Sequence, residues 1–374
     1  MTIVDNYQQI ILQNTPLIDV RAPVEFVKGS IPNATNLPLM NDEERHLVGI
    51  CYKEKGQDAA ITLGHKLVSG DLKQQRVNHW GEFFDSHPNS HILCFRGGLR
   101  SKTSQQWIID SGRDIPLIKG GYKALRQYCI EQTELIVGQM PLCMVGGKTG
   151  SGKTELLMAL GDTLDLEGIA NHRGSAFGKN ITEQPSQINF ENEVAKRLLQ
   201  LQQMPYTHLV VEDESRTVGR CALPLVLLEK MRQSPVYWLE DDIDHRAQRI
   251  LHDYVVDMDL QYRARFGDEV GFERFSEYLK TAFNGIRRRL GDLRHTQLLE
   301  TLQQALNKQQ SQNDASDHLQ WIMVLLSEYY DPIYQYQLTN KQDRIVHRGN
   351  KDELLEVLRA QRMKAPGVEA LLEE

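Results

Sequence analysis

Two glycine-rich loops, each directly after a short apolar run, constrain this chain more than any other feature. The first spans Cys94 to Ser101, reads Cys-Phe-Arg-Gly-Gly-Leu-Arg-Ser, and follows the run at 91–93. The second spans Gly147 to Thr154 and follows the run at 142–145. An apolar strand that leads into a glycine-rich loop and then a helix is typical of an α/β sheet whose loop binds an anion. The sequence therefore predicts two anion-binding loops, and only the first contains a nucleophile.

Length and composition indicate a multidomain protein without a membrane segment. The chain has 374 residues, with 40% hydrophobic and 25% charged residues, so two or three domains are expected. No apolar run approaches the ~18 residues of a membrane span, and the N-terminus lacks a secretory pattern. The five cysteines are odd in number and scattered, which predicts reduced thiols and a cytoplasmic location. They are Cys51, Cys94, Cys129, Cys143 and Cys221.

The order of predicted elements gives the fold class as α/β with a helical end. We predict an N-terminal parallel-sheet domain at 1–137, a second α/β domain at 138–243, and a mainly helical region at 244–374. The polar stretch 307–314 is interpreted as a loop or a frayed helix end. Predicted strands lie at 16–21, 91–95, 142–146, 208–211 and 236–239, and predicted helices at 101–111, 122–130, from 153, and at 190–203.

The first loop suits a cysteine that carries a sulfur or selenium anion. Arg96 and Arg100 flank the turn, and Gly97 and Gly98 allow backbone N–H groups to point inward. The following helix, which Ser101 is predicted to cap, directs its N-terminus at the thiol, and both effects favour the thiolate. We therefore predict a catalytic set of Cys94, Arg96, Gly97, Gly98 and Arg100.

Two known classes of loop match this segment. Cys-x5-Arg-Ser also fits a cysteine phosphatase, but Leu93 stands where those enzymes usually have histidine. Upstream, the segments at 18–21, 25–26 and 29–34 closely resemble the N-terminal signature of rhodanese domains. Residues ~12–135 are therefore interpreted as rhodanese-like.

The second loop fits G-x-x-x-x-G-K-[ST] at every fixed position. Its backbone N–H groups can bind a diphosphate, Lys153 can offset the charge, and Thr154 can hold Mg²⁺. Asp213, after the strand at 208–211, is the predicted second group for Mg²⁺, and Glu212 is the rival. The predicted binding residues are Gly147, Lys148, Thr149, Gly150, Ser151, Gly152, Lys153 and Thr154.

The combination resembles the tRNA 2-selenouridine synthase family. The resemblance rests on the domain order and on the segments at 172–175, 184–191 and 211–216. It implies replacement of sulfur by selenium, from selenophosphate, at the wobble 2-thiouridine of lysine, glutamate and glutamine tRNAs. It also implies S-geranylation with geranyl diphosphate, and it makes Cys94 the selenium carrier. The implied partners are the tRNA anticodon loop and a selenophosphate-supplying enzyme, with no DNA and no membrane.

The two implied reactions fit together chemically. Alkylation turns the sulfur of 2-thiouridine into a thiol leaving group and makes C2 electrophilic, so selenium can displace it. The second loop would then hold the leaving diphosphate without hydrolysing ATP, although the sequence leaves ATP open. For the prenyl pocket the sequence offers only Phe177, Phe190, Tyr206 and Trp238, each of which also suits an ordinary core.

Three other interpretations stay open at this stage. An ATP-dependent tRNA sulfurtransferase would activate the base with ATP and deliver sulfur from Cys94. A sulfur-carrier adaptor would use the nucleotide loop as a switch without catalysis. A phosphatase joined to a kinase-like domain is weaker, because the phosphatase histidine is absent.

A basic stretch near residue 290 is the predicted tRNA contact. The net charge of −7 argues against broad nonspecific binding of nucleic acid but leaves room for a local basic surface. The stretch contains a single acid, Asp292. We place its arginines on one helix, with positions 287, 290, 291 and 294 on one face. The predicted tRNA-binding residues are Arg287, Arg288, Arg289 and Arg294.

Overall fold

The computed structural model describes residues 2–363, so Met1 and residues 364–374, the outer ends of the first and third predicted regions, lie outside the described part. The chain divides into two units. The first unit consists of Met1–Ile136 with Ser186–Gln200, and the second consists of Val137–Pro185 with Leu201–Glu374. The helix near residue 190 therefore packs with the first unit, although the chain has already entered the second.

The first unit contains a five-stranded parallel sheet in the order β1-β5-β4-β2-β3. Helices cover the sheet, and two long helices, α3 and α4, are inserted between β3 and β4. The elements are β1 (Ile3–Val4), α1 (Tyr7–Leu12), β2 (Leu17–Asp19), α2 (Pro23–Lys28), β3 (Ala34–Asn36), α3 (Asp42–Leu67), α4 (Gly70–Ser86), β4 (His91–Leu93), α5 (Leu99–Asp110), β5 (Leu117–Ile118) and α6 (Gly121–Gln139).

The second unit contains a four-stranded parallel sheet in the order β11-β10-β6-β7 and a small hairpin. Its sheet elements are β6 (Leu142–Gly147), α7 (Lys153–Leu160), α8 (Leu166–Ala170), β7 (Leu209–Glu212), β8 (Thr217–Val218), β9 (Cys221–Ala222), α10 (Leu225–Gln233) and β10 (Val236–Leu239). Before β7 the chain passes through α9 (Gln187–Gln202), most of which belongs to the first unit.

The remaining elements form the helical region of the second unit. They are α11 (Ile243–Leu251), a π-helical turn (His252–Val256), α12 (Asp257–Phe266), α13 (Asp268–Leu290), α14 (Asp292–Gln312), α15 (His318–Val324), a second π-helical turn (Leu325–Tyr330), α16 (Asp331–Lys341), a 3₁₀ turn (Gln342–Arg344), β11 (Ile345–Gly349) and α17 (Lys351–Met363). One apolar core joins α11 to α15, and Phe177 of a distant loop is part of it.

The predicted fold class is confirmed, with two parallel α/β sheets and a helical region towards the C-terminus. The predicted strands and helices did not include β1, β3, α3 or α4. The chain returns to the second sheet through β11, a strand that the prediction missed within the helical region. Of the two interpretations of the stretch at 307–314, the structure agrees with a helix end, because α14 continues to Gln312 and closes at Asn313, which has a left-handed φ of 54°.

Candidate functional site

Cys94 lies at the carboxyl end of β4 and is almost fully buried, with 3% of its surface exposed. Its Sγ lies 3.1 Å from the Oγ of Ser101 in the first turn of α5. Its carbonyl oxygen accepts a hydrogen bond of 2.9 Å from the N–H of Tyr122 at the start of α6. The backbone of Cys94 is therefore bound to the N-terminal end of α6, and its thiol lies beside the first turn of α5, where the backbone dipole favours an anion.

The tight path of the first loop requires glycine at two positions. Gly97 has a φ of +64°, and a Cβ there would lie 3.0 Å from both the N of Gly120 and the carbonyl oxygen of Ile118. Gly121 has a φ of +60°, and its Cβ would lie 2.2 Å from the carbonyl oxygen of Cys94. An L side chain would be strained and would collide with backbone at both positions. These contacts fix the loop that carries the thiol.

The prediction that Ser101 caps α5 is wrong. The helix begins at Leu99 and Gly98 is its N-cap, so Ser101 sits within the first turn. Its side chain is fully buried and lies 3.2 Å from the Gly98 carbonyl oxygen as well as beside Cys94. The hydroxyl lies within reach of both acceptors, and it can donate to a thiolate once it turns from the Gly98 carbonyl oxygen.

The two predicted arginines of the loop differ in their surroundings. Arg100 donates two hydrogen bonds to Glu25 of α2, at 2.5 and 3.1 Å, and Glu25 also pairs with Arg45 of α3 at 3.0 Å. Burial alone would raise the pKa of Glu25, but the bonds from Arg100 outweigh it and the pKa lies below its usual value. Arg96 is exposed and lies over the ring of Phe95, with 5.8 Å to the centroid. The single carboxylate of Glu25 thus pairs with both Arg100 and Arg45, so it offsets only one of their two positive charges.

The second loop joins β6 to α7, and its lysine already contacts the loop backbone. The Nζ of Lys153 donates to the carbonyl oxygen of Gly147 at 3.1 Å. Gly150 and Gly152 have φ values of +77° and +86°. A Cβ on Gly150 would lie 2.9 Å from the carbonyl oxygen of Arg246, so only glycine fits there. The strand, loop and helix of a phosphate-binding loop are therefore all present.

Two arginines of α11 hold this loop, and the sequence prediction missed both. Arg246 is 1% exposed, donates to the carbonyl oxygen of Thr149 at 2.9 Å, and pairs with Asp331 at 2.6 Å. Arg249 donates to the carbonyl oxygen of Gly150 and pairs with Asp241 at 2.9 Å. Since almost a hundred residues separate these arginines from the loop, no local pattern could have revealed them.

Several carboxyl groups surround Lys153. Burial, together with the neighbouring Glu214, raises the pKa of Glu167 to about 8, and burial likewise raises the pKa of Glu214. Burial alone would lower the pKa of Lys153, but Tyr334 and these carboxyl groups outweigh it and raise the pKa. At neutral pH the lysine is therefore charged, while Glu167 is largely neutral and does not repel an anion. Gly174 makes room for the pair, because a Cβ there would lie 2.4 Å from Glu167 Oε1.

The two predicted metal-site acids have different contacts. Asp213 follows β7, its N–H donates to the carbonyl oxygen of Val145 at 2.9 Å, and its carboxylate pairs with Lys341 of α16. Glu212 is 1% exposed, and its Oε2 accepts from the N–H groups of Leu166 and Glu167 at 3.0 and 3.1 Å. Burial raises the pKa of Glu212 well above its usual value. Its Oε1 has no hydrogen-bond partner among residues 2–363.

An apolar cavity lies beside the second loop. It is narrow, with a cavity volume of about 20 Å³. Both π-helical turns contribute to its wall, and such turns are frequent at functional sites. The wall consists of Thr149, Ser175, Phe177, Ile250, Tyr254, Trp321, Ile322, Leu325, Leu326 and Tyr330.

Of the four aromatic residues proposed for a prenyl pocket, only Phe177 lines this cavity. Its ring stacks on Trp321 with centroids 5.7 Å apart. Phe190 is buried in α9, Trp238 is buried in β10, and Tyr206 packs under Arg362. The segment at 172–175, which the sequence indicated as an active-site loop, leads directly to Phe177.

The predicted single helix for the tRNA-binding arginines is wrong. Gly291, with a φ of +82°, ends α13 and precedes α14, so Arg294 lies on a different helix from the other three arginines. Arg287 pairs with Asp292 at 2.7 Å, and Arg294 pairs with Glu328. Arg289 donates to the hydroxyl of Tyr329 at 3.5 Å. Arg288 is exposed and has no ion pair with any described residue, so it is the strongest remaining candidate.

The segment at 184–191 makes hydrogen bonds in both units, with its first residues in the second unit and its later residues in the first. In the second unit the side chain of Gln184 donates to the carbonyl oxygens of Ala170 and Val218, at 2.9 and 3.0 Å. In the first unit the Oδ1 of Asn189 accepts from the N–H of Ser30 at 2.7 Å. These are structural contacts, so this motif does not need a catalytic explanation.

The two sites define a class of protein in which a rhodanese-type thiol loop is joined to a P-loop domain with an apolar cavity. The rhodanese-like domain family matches residues 4–128, and the tRNA 2-selenouridine synthase AAA domain matches residues 140–365. The tRNA 2-selenouridine synthase of Shewanella frigidimarina is 51% identical over 93% of this chain and 95% of its own length. That of Marinobacter nauticus is 51% identical over 95% of this chain and 97% of its own length.

The chain therefore belongs to the tRNA 2-selenouridine synthase family, and it is an enzyme. This result confirms the resemblance seen in the sequence and disfavours both the adaptor and the phosphatase interpretations. Across residues 2–363, no helix is long and apolar enough to cross a membrane.

Proposed function

We propose that this enzyme converts 2-thiouridine to 2-selenouridine at the wobble position of lysine, glutamate and glutamine tRNAs in two steps. The first step transfers a geranyl group from geranyl diphosphate to the sulfur. The second replaces the geranylated sulfur by selenium that derives from selenophosphate and is carried on Cys94. The observation that carries this proposal is the apolar cavity whose wall includes Thr149 of the phosphate loop.

In the first step the second unit binds geranyl diphosphate. The backbone N–H groups of residues 147–154 and the Nζ of Lys153 bind the diphosphate, while the apolar chain enters the cavity. The sulfur–carbon bond forms as the carbon–oxygen bond breaks, the diphosphate leaves with the electron pair, and the base loses its N3 proton to water. Because the cavity is narrow, side chains of its wall must move to admit the chain.

The residues near the second loop fit a bound Mg²⁺. Thr154 and Asp213 would hold the ion, provided that Lys341 releases Asp213, and the unpartnered Oε1 of Glu212 lies on the neighbouring residue. The ion would supply positive charge to the departing diphosphate. Lys153 performs the same task from the protein side, and Arg246 keeps the loop in its binding shape.

In the second step the first unit acts on the geranylated base. Selenium bound to Cys94 Sγ attacks C2, the C2–S bond breaks, and geranylthiolate leaves with the electron pair. A low-molecular-weight thiol then cleaves the S–Se bond, forms a mixed disulfide with Cys94 and leaves selenium on C2. Selenide released from selenophosphate by hydrolysis attacks Cys94 Sγ in this mixed disulfide, so that a new S–Se bond forms as the thiol leaves. For the first turnover a low-molecular-weight disulfide supplies the same mixed disulfide and is the two-electron oxidant. Ser101 and the N-terminus of α5 stabilise the anion on the cysteine.

The tRNA contact that we propose uses the basic surface near residue 290. Arg287, Arg289 and Arg294 have partners within the second unit, so Arg288 offers the charge that is free for a phosphate. Selenophosphate would come from the enzyme that makes it, and the tRNA substrate agrees with a cytoplasmic location.

One alternative survives for the second loop, namely ATP turnover in an ATP-dependent sulfurtransferase. The test incubates the purified enzyme with anticodon stem-loop RNA that contains 2-thiouridine, with geranyl diphosphate or ATP, and measures nucleoside masses. We expect S-geranyl-2-thiouridine with geranyl diphosphate alone, and 2-selenouridine once selenophosphate and a thiol are added. RNA that is modified only when ATP is present, without a geranylated product, would reject the proposal.

A further inference from the structure

A wide groove lies beside the thiol loop, within the first unit. Its volume is about 820 Å³, against about 20 Å³ for the cavity of the second unit. Helix α3 forms one side of the groove, and residues of α5 form the other. Neither the sequence prediction nor the proposed reaction has given this groove or the inserted helix a role.

The groove adjoins the residues that hold Cys94. Leu99 and Arg100 of its wall belong both to the thiol loop and to the first turn of α5. Trp107 and Met40 line the groove and also share one apolar core with Cys94. A molecule in the groove would therefore lie next to the residues that position the sulfur.

The wall of the groove is apolar and cationic. Its apolar residues include side chains that remain substantially exposed, such as Ile50 at 40% and Tyr52 at 57%. Exposed apolar groups that line one concave surface indicate a binding site for an apolar partner. Arg45 and Arg100 share the single carboxylate of Glu25, so one of their two positive charges is not offset. Lys53 adds another, and no aspartate or glutamate among the described residues lines the groove. Lys53 forms no ion pair with a described residue, so its charge is available.

We propose that this groove binds the geranyl chain of S-geranyl-2-thiouridine while Cys94 acts on C2. The inference rests on the two-step function proposed above. A base whose sulfur carries a ten-carbon chain cannot approach the thiol unless the chain is accommodated nearby. The apolar wall suits the chain, and the cations suit the phosphodiester of the RNA to which the chain is attached. The enzyme thus has two prenyl sites, one for geranyl diphosphate and one for the geranylated base.

The test measures binding of the full-length enzyme to two synthetic stem-loop RNAs, one with S-geranyl-2-thiouridine and one with 2-thiouridine. The test variant is Ile50→Asn combined with Tyr52→Ser. The matched control is Leu47→Asn, because Leu47 lies on the same helix, is 43% exposed and does not line the groove. All these side chains are exposed, so the substitutions should not prevent folding.

We expect the groove variant to weaken binding of the geranylated RNA by about 10-fold, through lost apolar contact, and to leave the 2-thiouridine RNA unaffected. Geranylation of 2-thiouridine RNA should continue, whereas selenation should slow and the geranylated intermediate should accumulate. The control should match the wild type. Equal weakening for both RNAs, no weakening for either, or a change in oligomer size by sedimentation would overturn the proposal.

Because the geranylated RNA is synthetic, this test does not depend on the enzyme's own geranylation step. If the wild type fails to geranylate but still prefers the geranylated RNA through the groove, the proposed first step fails and the groove proposal stands. If the wild type geranylates 2-thiouridine RNA but shows no preference for the geranylated RNA that depends on the groove, the groove proposal fails and the proposed first step stands.

Discussion

The two anion-binding loops are built from the same parts but are supported differently. Each follows a parallel strand, uses glycines with positive φ, and leads into the N-terminus of a helix. In the first unit the loop is held by backbone contacts, such as those of Gly97 and Gly121, and Glu25 balances only part of the nearby positive charge. In the second unit, side chains from another part of the chain hold the loop backbone.

This difference matches two kinds of anion. A reactive group that stays covalently attached to Cys94 needs a rigid loop with a surplus of positive charge. A diphosphate that arrives and leaves needs a loop whose shape persists when the ligand is absent, and Arg246 and Asp331 provide that shape. The apolar sites of the two units differ as well, since the second unit has a narrow cavity and the first has an open groove.

The strongest test of this separation is Cys94→Ser. We expect selenation to fall below detection, because a serine hydroxyl cannot carry selenium, while geranylation stays within about twofold of the wild type. Nucleoside mass analysis of the RNA product should show accumulated S-geranyl-2-thiouridine. Cys51→Ser is the matched control, since Cys51 is a partly exposed free thiol on α3. Loss of both activities in a folded Cys94 variant would show that the two loops do not act separately.

The reciprocal change is Lys153→Ala. Removal of the positive charge should slow geranylation by on the order of 10²–10³, as for other groups that stabilise a departing anion. Selenation of chemically geranylated RNA should proceed at the wild-type rate, because the first unit is unchanged. A geranylation rate near that of the wild type would assign the loop to another ligand and would favour the ATP alternative.

The pH dependence of the second loop sharpens the comparison further. The pKa of Glu167 is about 8, so this carboxyl is neutral at pH 7 and becomes an anion beside Lys153 above pH 8. Binding of geranyl diphosphate should therefore weaken several-fold between pH 7 and pH 9. Glu167→Gln should remove most of this dependence, as measured by calorimetry at fixed ionic strength. The same pH profile in both proteins would exclude Glu167 as its source.

Stability gives a second measure of the same group. The folded-state pKa of Glu167 lies above its usual value of 4.5, so the folded protein binds the proton more tightly than the unfolded chain does. The contribution of this group to the free energy of unfolding is therefore fully present below pH 4.5 and is lost as the pH rises through about 8. Glu167→Gln should therefore reduce the dependence of the thermal denaturation midpoint on pH between about pH 4.5 and pH 8.

Local sequence patterns predicted both loops and the strands that lead into them, because strand patterns and glycine spacing act over only a few residues. The strand β7, for example, ends one residue before Asp213, close to where the apolar run at 208–211 placed it. Long-range contacts could not be predicted in this way. The pairing of Arg246 with Thr149 and Asp331, and of Arg294 with Glu328, depends on how distant helices pack.

One error was avoidable from the sequence. Leu290-Gly291-Asp292 contains a glycine that can end a helix, followed by an acidic residue suited to the start of the next. The break between α13 and α14 could therefore have been expected, and with it the separation of Arg294 from Arg287. The groove beside Cys94 could not have been expected, since it depends on how α3 lies over α5.

The smallest expected effect concerns the proposed tRNA contact, which both proposed steps would share. Arg288→Ala should weaken binding of all tRNA substrates by about threefold and should lower the slope of log Kd against log salt by about 0.9, the value for one lost phosphate contact. Arg287 is the matched comparison, because it is one residue away but already pairs with Asp292. Arg287→Ala should therefore change the slope less.

Filter binding at several salt concentrations measures the slope for both variants, with geranylation and selenation rates at saturating RNA as the control. If the two variants have equal slopes, the ion pair with Asp292 does not decide which arginine meets the phosphate, and unchanged affinity in both would make this surface an ordinary solvated helix end.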